Sequence, residues 1–275
     1  MEGLWSSNTW SQMRSLWTRF SLFRDLYDMP LDQHAAALFV HSLSVSVQTK
    51  HTYARNLINI FRKLQISHAE LTLMDTVLRA RGALIPMQQA RAMTRVDLLG
   101  ICQVIGLPVS SWLILAWKTA SRWDEIARLQ ADSFLSVTET EIVVYFGTET
   151  KTSRTKPFRP DLYCVIRGDG TPTLARTIAQ KIRSTQKGEP LFPMSTARLR
   201  ELLTPHGYSA HSVKRGAIMH LLSVLPEASP LLQLIPLIAK HAPQYPVLGS
   251  MTARYIEDQV MIARHLGTGQ LTSLL

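Results

Sequence analysis

The chain has 275 residues, 46% of them hydrophobic, which is enough apolar material for one large core or two small ones. Its formal net charge of +10 suits a polyanionic partner, either nucleic acid or an acidic membrane surface, and does not choose between them. Arginine supplies 21 of the 30 basic residues, which favours planar, bidentate contacts with phosphate.

Cysteine usage and hydropathy exclude several other classes of protein. Cys102 and Cys164 sit in apolar sequence without CxxC spacing, which predicts reduced core residues of an intracellular protein and no structural zinc. The first residues include Glu2 and lack an apolar run of signal-peptide length. No run of about 18 uncharged apolar residues is present, so we expect no transmembrane helix and no membrane partner.

The first part of the chain is predicted to be helical throughout. Residues 8–27 carry aromatic and apolar side chains at three- and four-residue steps, which is typical of the buried face of a helix. Pro30 favours the start of a second helix, residues 44–64 carry another apolar stripe, and residues 69–79 form a fourth, short helix. We therefore expect a compact bundle of four helices.

Basic side chains lie beside the apolar stripe of the third predicted helix. Lys50, Arg55 and Arg62 are candidate contacts to a nucleic-acid backbone, and a solvated helix face is the alternative. Residues 79–94 are irregular and basic and contain a glycine and a proline, a composition that favours a linker. We place the boundary near residue 90, which predicts domains at 1–90 and 91–275.

The second domain is predicted to begin with a capped helix and a buried one. Thr94, with Asp97 three residues later, has the spacing of a capping box, and Gly106 is a suitable residue to end that helix. Residues 112–120 are apolar nearly all round, which predicts a helix in the core.

Arg122 is predicted on the first turn of the next helix. Ser121, followed by Asp124, has the spacing of a helix cap. Because the preceding helix is buried, core packing would fix the position of Arg122, as a functional side chain requires.

The middle of the second domain changes to the two-residue period of strands. Strands are predicted at 134–137, 141–146 and 155–158. Lys151 lies in the turn between the last two, and further helices follow. These elements together predict a fold that is mainly α with a small antiparallel sheet (α+β).

Residues 207–255 concentrate side chains suited to phosphate chemistry. Cutting a DNA strand without a metal requires a nucleophile, cationic donors for the non-bridging oxygens and a proton donor for the leaving oxygen. Tyrosine can attack phosphorus, arginine presents a fork to two oxygens, and lysine or histidine can move protons. The candidates in this stretch, spread over three short predicted helices, are His211, Lys214, Arg215, His241 and Tyr255.

The order of these residues resembles the tyrosine recombinase (phage integrase-like) family. The most specific match is HSVKRG at 211–216, which is similar to the family's His-x-x-Arg motif at a helix start. The resemblance covers roughly residues 45–265. The other matching positions, in the family's order, are Arg122 with Glu125 three residues later, Lys151, His241 and Tyr255.

The resemblance implies a metal-independent DNA strand transferase that needs no cofactor. Tyr255 would form a 3′-phosphotyrosine while Arg122 clamps the scissile phosphate and Lys151, or alternatively Lys156, protonates the leaving oxygen. His211 and His241 would assist. Contacts to flanking phosphates would come from Arg154, Lys156 and Arg254.

The resemblance also implies partners and a setting. The family has a helical N-terminal core-binding domain that grips double-stranded DNA, and it acts as a homo-tetramer on two DNA sites. The HSVKRGA stretch and the long segment between His241 and Tyr255 resemble the recombinases of tyrosine-recombinase retrotransposons, of the DIRS and VIPER type. We therefore expect mobile-element integration, in the nucleus of a eukaryote or in the nucleoid or cytoplasm of a prokaryote.

The sequence departs from the family's pattern at two positions near the motif residues. Lys214 stands where the second clamping arginine is expected, and Arg215 follows it. Either Lys214 clamps as a point charge, or Arg215 swings in from the neighbouring helix face, or the site is inactive. Lys240 replaces the glycine that precedes His241 in the family's pattern.

Two other functions remain open at this point. The first is a relative that binds DNA without cutting it, which Lys214 favours. The second is a helical protein–protein adaptor, which the basic charge and the lysine between strands disfavour. Each candidate residue also has an ordinary explanation, because turn lysines are commonly solvated and helical tyrosines commonly pack half-buried.

Overall fold

The computed structural model describes residues 7–85, 90–147, 163–240 and 268–275. It divides into two compact units, Met1–Gln88 and Gln89–Leu275, which we call the N-terminal and the C-terminal unit. Most of the described residues are helical, and three short strands within them form one antiparallel sheet. The predicted fold class, mainly α with a small antiparallel sheet, is therefore confirmed.

The N-terminal unit is a set of helices around an aromatic core. Its helices are α1 (Ser7–Leu26), α2 (Gln33–Ser42), α3 (Val47–Lys63) and α4 (Ala69–Ala83). Phe20 packs between Phe39 and Phe61, with ring centroids 5.6 and 6.0 Å apart. The carboxylate of Asp32 caps α2 by accepting a backbone N–H at 2.8 Å, so Pro30 lies before the cap and not in the first turn.

The C-terminal unit begins with three helices whose core is rich in tryptophan. They are α5 (Arg95–Ile105), α6 (Val109–Lys118) and α7 (Trp123–Ile126). The hydroxyl of Thr94 accepts a backbone N–H in the first turn of α5 at 3.1 Å, and Gly106 ends that helix in the left-handed region, as predicted. Trp112 and Trp117 are fully buried on α6, so the prediction of a core helix is confirmed.

The sheet follows α7 and has the order β1-β2-β3. Its strands are β1 (Phe134–Val137), β2 (Ile142–Tyr145) and β3 (Tyr163–Ile166), and both pairs are antiparallel. The strand predicted at 155–158 lies outside the described residues. β3 was not predicted from the sequence, and all four of its residues are buried.

Further helices surround this sheet and cover α6. They are α8 (Thr171–Ser184), α9 (Thr196–Leu203), α10 (Ala210–Val224), α11 (Ile235–Ile238) and α12 (Thr268–Leu274). The last, which was not predicted, buries Leu271 against the core. The hydroxyl of Thr272 donates to the Val165 carbonyl at 2.9 Å, and the indole N–H of Trp117 donates to the Leu275 carbonyl at 3.2 Å. These bonds hold α12 against β3 and α6.

α10 approaches the segment before α5 most closely at Gly216. A Cβ at this position would lie 2.1 Å from the carbonyl oxygen of Met93 and 2.6 Å from the Trp117 ring. Nearby, the N–H of Met93 donates to the carbonyl of Ser212 at 3.1 Å. Because glycine has no side chain, α10 can pack this closely against Met93 and Trp117. The same helix carries His211 and Lys214.

Both cysteines are free thiols. Burial raises the pKa of the Cys102 thiol to about 11, so it stays protonated at neutral pH. Within the described ranges, every helix is too short or too polar to cross a bilayer.

The contacts at Gly216 predict that Gly216→Ala destabilises the C-terminal unit by about 1–3 kcal/mol, because a methyl group is forced into a packed core. The matched control is Gly100→Ala in α5, where a Cβ would meet no atom within 4 Å and alanine has the better helix propensity. Urea unfolding followed by tryptophan fluorescence measures both variants. Equal midpoints for the two would contradict the packing argument.

Candidate functional site

Arg122 is positioned at the start of α7 by the carboxylate of Glu125. The backbone N–H of Arg122 donates to Oε2 at 2.8 Å, and its Nη1 donates to Oε1 at 3.1 Å. Arg122 is therefore the residue that precedes the helix, and Glu125 takes the capping role predicted for Ser121 and Asp124. Asp124 instead is exposed and pairs with Arg128 at 3.2 Å.

Lys214 projects from α10 into the protein interior. Its side chain is buried, and Nζ donates to the carbonyl of Ala239 at 2.6 Å. Burial lowers the pKa of Lys214 to about 7, and the charge of Lys240 lowers it further while Glu125 opposes the shift. Near neutral pH this amine is therefore close to its titration point.

Lys240, which follows α11, is buried more deeply still. Its Nζ donates to the carbonyl of Thr119 at 2.9 Å and to the hydroxyl of Ser121 at 2.7 Å, and it lies 4.1 Å from the centre of the Phe146 ring. Burial lowers its pKa, and the Glu125 carboxylate opposes that shift. Lys240 was not among the predicted site residues, although it stands where the resemblance expects glycine.

Arg122, Glu125, Lys214 and Lys240 together form what we call the Glu125 cluster. Burial alone would raise the pKa of Glu125, but Lys240 and Lys214 bring it below its ordinary value, so the carboxylate is ionised. Arg122, Lys214 and Lys240 thus surround the Glu125 carboxylate, and the exposed Asp124 carboxylate also acts on Lys214. Because buried charge requires partners, the surplus positive charge makes the cluster suited to an anion.

α10 also carries two other predicted site residues. His211 is exposed in its first turn, and Arg215 is half-buried one turn later. This end of the helix is fixed because the phenol of Tyr208 donates to Asp97 on α5 at 2.6 Å. The structure brings Lys214 close to Arg122 and Glu125, and Arg215 follows Lys214 on α10.

Six predicted site residues lie outside the described ranges, so their roles stay predictions. They are Lys151, Arg154, Lys156, His241, Arg254 and Tyr255.

The basic side of the N-terminal unit divides into two parts. The amine of Lys50 donates to the His41 carbonyl at 2.6 Å, so this lysine has a structural partner at the end of α2. Arg55 and Arg62 are exposed, and their seven-residue spacing puts them on one face of α3. These two arginines are available to a ligand.

No protein-family model matches the chain, and no curated protein matches it. Solved structures do match, among them the integrase from mycobacterium phage Brujita. That integrase is 14% identical, the match covers 98% of this chain and 87% of the integrase, and the TM-score is 0.42. At this identity the similarity concerns the course of the chain alone.

The shifted pKa of Lys214 predicts that stability rises with pH above about 7. The unfolded lysine, with its ordinary pKa of 10.5, binds more protons than the folded one between about pH 7 and that value. The free energy of unfolding should therefore rise by up to about 1.4 kcal/mol per pH unit, and Lys214→Met should flatten this rise. Urea titrations at several pH values in this window measure the slope.

The control for that experiment is Lys187→Met, which removes an exposed lysine and should leave the slope unchanged. Parallel profiles for the Lys214 variant and the wild type would show that Lys214 keeps an ordinary pKa in the fold.

Proposed function

We propose that the protein is a DNA strand transferase of the tyrosine recombinase type, which cuts and rejoins double-stranded DNA. The observation that carries the proposal is the surplus of positive charge in the Glu125 cluster. Arg122 is its most accessible member, with 23% of the side chain exposed, so its guanidinium can reach a ligand at the surface. A backbone phosphate at this point would balance the charge of the cluster.

Arg122 is suited to clamp that phosphate. Glu125 fixes the backbone and Nη1 of this arginine, which leaves the rest of a five-donor fork for phosphate oxygens. A guanidinium held in place before the ligand arrives costs little reorganisation when charge develops on the oxygens. Glu125 thereby orients Arg122 from behind.

Lys214 supplies the second cation in this proposal. Its amine is within electrostatic range of Arg122 and Glu125, and the charge of a bound phosphate would raise its pKa and keep it protonated. Arg215, half-buried on the adjacent face of α10, is the other candidate. The choice between them is open to a direct experiment, described below.

The proposed reaction needs neither a metal nor a nucleotide. Tyr255 Oη forms a bond to phosphorus as the bond from phosphorus to the 5′ oxygen breaks, its phenolic proton passes to a neighbouring base, and Lys151 protonates the leaving oxygen. His211 and His241 add donors to the phosphate. Rejoining is the reverse of these steps. The parts given to Lys151, His241 and Tyr255 rest on the order of motifs in the sequence.

We extend the proposal to the setting that the sequence resemblance implies. The N-terminal unit would grip the DNA through Arg55 and Arg62, and four copies would act on two sites. The reaction would serve integration of a mobile element, of the DIRS or VIPER type, in the nucleus of a eukaryote or the nucleoid of a prokaryote.

A relative that binds DNA without cutting it is the second candidate function. The observation that favours it is the buried amine of Lys214, which donates to the Ala239 carbonyl and has a pKa near 7. Such an amine holds a phosphate less firmly than an arginine fork. DNA affinity could then persist through Arg122 and the arginines of α3 while cleavage is lost.

Covalent trapping tests the cutting activity directly. Nicked duplexes that tile candidate element ends, labelled on the 5′ end of the cut strand, should yield a protein–DNA adduct on a denaturing gel. Tyr255→Phe should abolish the adduct, and Tyr27→Phe, which changes an exposed tyrosine of the N-terminal unit, should retain it. An adduct that survives Tyr255→Phe would remove Tyr255 from the proposal.

The same assay decides the second cation. Lys214→Arg should preserve or raise adduct formation if Lys214 holds the phosphate, whereas loss of the adduct would assign that part to Arg215. Absence of any adduct from the wild type, with salt-sensitive DNA binding retained, would favour the non-cutting relative.

DNA binding by α3 has its own test in the salt dependence of affinity. If Arg55 and Arg62 each neutralise one phosphate, the double change Arg55→Ser, Arg62→Ser should reduce the slope of log K against log salt by about 2. The control is Arg176→Ser, Arg198→Ser, which removes two exposed arginines of the C-terminal unit. An unchanged slope in the α3 variant would place the DNA elsewhere.

A further inference from the structure

Lys240 adopts a backbone conformation that lysine rarely takes. Its φ is 58°, in the left-handed region that glycine enters freely and that side chains with a Cβ disfavour. The side chain is nevertheless 2% exposed and directed into the core. A residue that combines an unfavourable backbone with a buried ammonium must be held by its contacts.

Three oxygen atoms lie within hydrogen-bonding distance of the Lys240 amine. An ammonium has three N–H donors, and the oxygens around Nζ are the Thr119 carbonyl at 2.9 Å, the Ser121 hydroxyl at 2.7 Å and the Ile238 carbonyl at 3.4 Å. No donor is left for a phosphate, and solvent does not reach the group. Lys240 is therefore unsuited to bind substrate itself.

The acceptors of Lys240 define the turn that leads into Arg122. Within this turn Ala120 also has a left-handed φ, of 43°, and the hydroxyls of Thr119 and Ser121 lie 2.7 Å apart. Lys240 Nζ donates to Thr119 and to Ser121, and so links the residues on either side of the strained backbone at Ala120. Glu125 then holds Arg122 from the helix side.

We propose that Lys240 is a positioning residue, whose buried ammonium fixes the turn 119–121 and thereby the direction in which Arg122 presents its guanidinium. The interaction also ties the end of α11 to the start of α7. This inference rests on the proposed function for its consequence in DNA cleavage. The positioning of Arg122 itself can be measured without any cleavage.

The first test observes the Arg122 side chain directly. In two-dimensional ¹H–¹⁵N spectra of the arginine Nε–H groups, the Arg122 signal is assigned by its loss in Arg122→Lys. Lys240→Met should shift or broaden this signal, and Ser121→Ala, which removes one acceptor and keeps the lysine, should do the same. Lys187→Met, at an exposed lysine, should leave it unchanged. An unaltered Arg122 signal in Ser121→Ala and in the folded Lys240 variants overturns the proposal.

The second test separates positioning from a general effect on stability. Lys240→Gly relieves the left-handed strain but lacks the amine, so it should unfold at higher urea than Lys240→Met. Both variants should form the covalent adduct about 10²-fold more slowly than the wild type, because a misplaced clamp loses its alignment. A wild-type rate of adduct formation in Lys240→Gly would show that the amine does not position Arg122.

The two tests distinguish the failure of each idea. If the wild type forms no adduct but the Arg122 signal responds to Lys240→Met, the proposed reaction fails and the positioning role stands. If the adduct forms and the signal does not respond, the reaction stands and the role of Lys240 fails.

Discussion

The Glu125 carboxylate, buried in the C-terminal unit, is the interaction on which the site depends. Burial opposes its charge, but Lys240, Lys214 and Arg122 bring its pKa below the ordinary value and keep it ionised. A buried ionised acid is tolerated only while its partners stay in place. Those partners come from α10, from the end of α11 and from the start of α7, so one carboxylate holds together segments that are far apart in the chain. The contacts that keep Glu125 ionised also fix the position of Arg122, the side chain proposed to clamp a phosphate.

The positive and negative charges of the cluster do not balance, and this imbalance would matter for the proposed chemistry. Arg122, Lys214 and Lys240 around the Glu125 carboxylate leave a positive surplus, which is reduced when Lys214 loses its proton near pH 7. An arriving phosphate favours the protonated form of the same amine. In the proposed function, phosphate binding would therefore be coupled to proton uptake at Lys214. The affinity for a backbone phosphate would then increase as the pH falls through this range. An arginine at the same position would stay charged throughout and would couple the two processes far less.

Local patterns predicted most of the helices, and tertiary contacts decided the rest. Thr94 and Gly106 mark the two ends of α5 as expected, because helix capping acts within a few residues of the chain. Ser121 does not cap α7: its hydroxyl instead accepts a hydrogen bond from Lys240, which is 119 residues away and which local sequence does not reveal. Likewise, nothing in the local sequence says that the amine of Lys240 turns inward. The sequence showed only a lysine where the resemblance expects glycine, and that misfit was the one available signal for the positioning role.

The two lysines at positions 214 and 240 are joined in the structure through neighbouring residues. Lys214 Nζ donates to the carbonyl of Ala239, and the next residue, Lys240, donates to the turn before Arg122. Two hydrogen-bonded contacts, linked by the peptide bond between Ala239 and Lys240, thus connect α10 through the end of α11 to the turn before α7. A lysine lacks the planar fork that an arginine presents to two phosphate oxygens. The compact amine of Lys214 does, however, reach the carbonyl of Ala239, the residue before Lys240. Lys240 in turn bonds to the turn before Arg122, which supplies the guanidinium of the cluster.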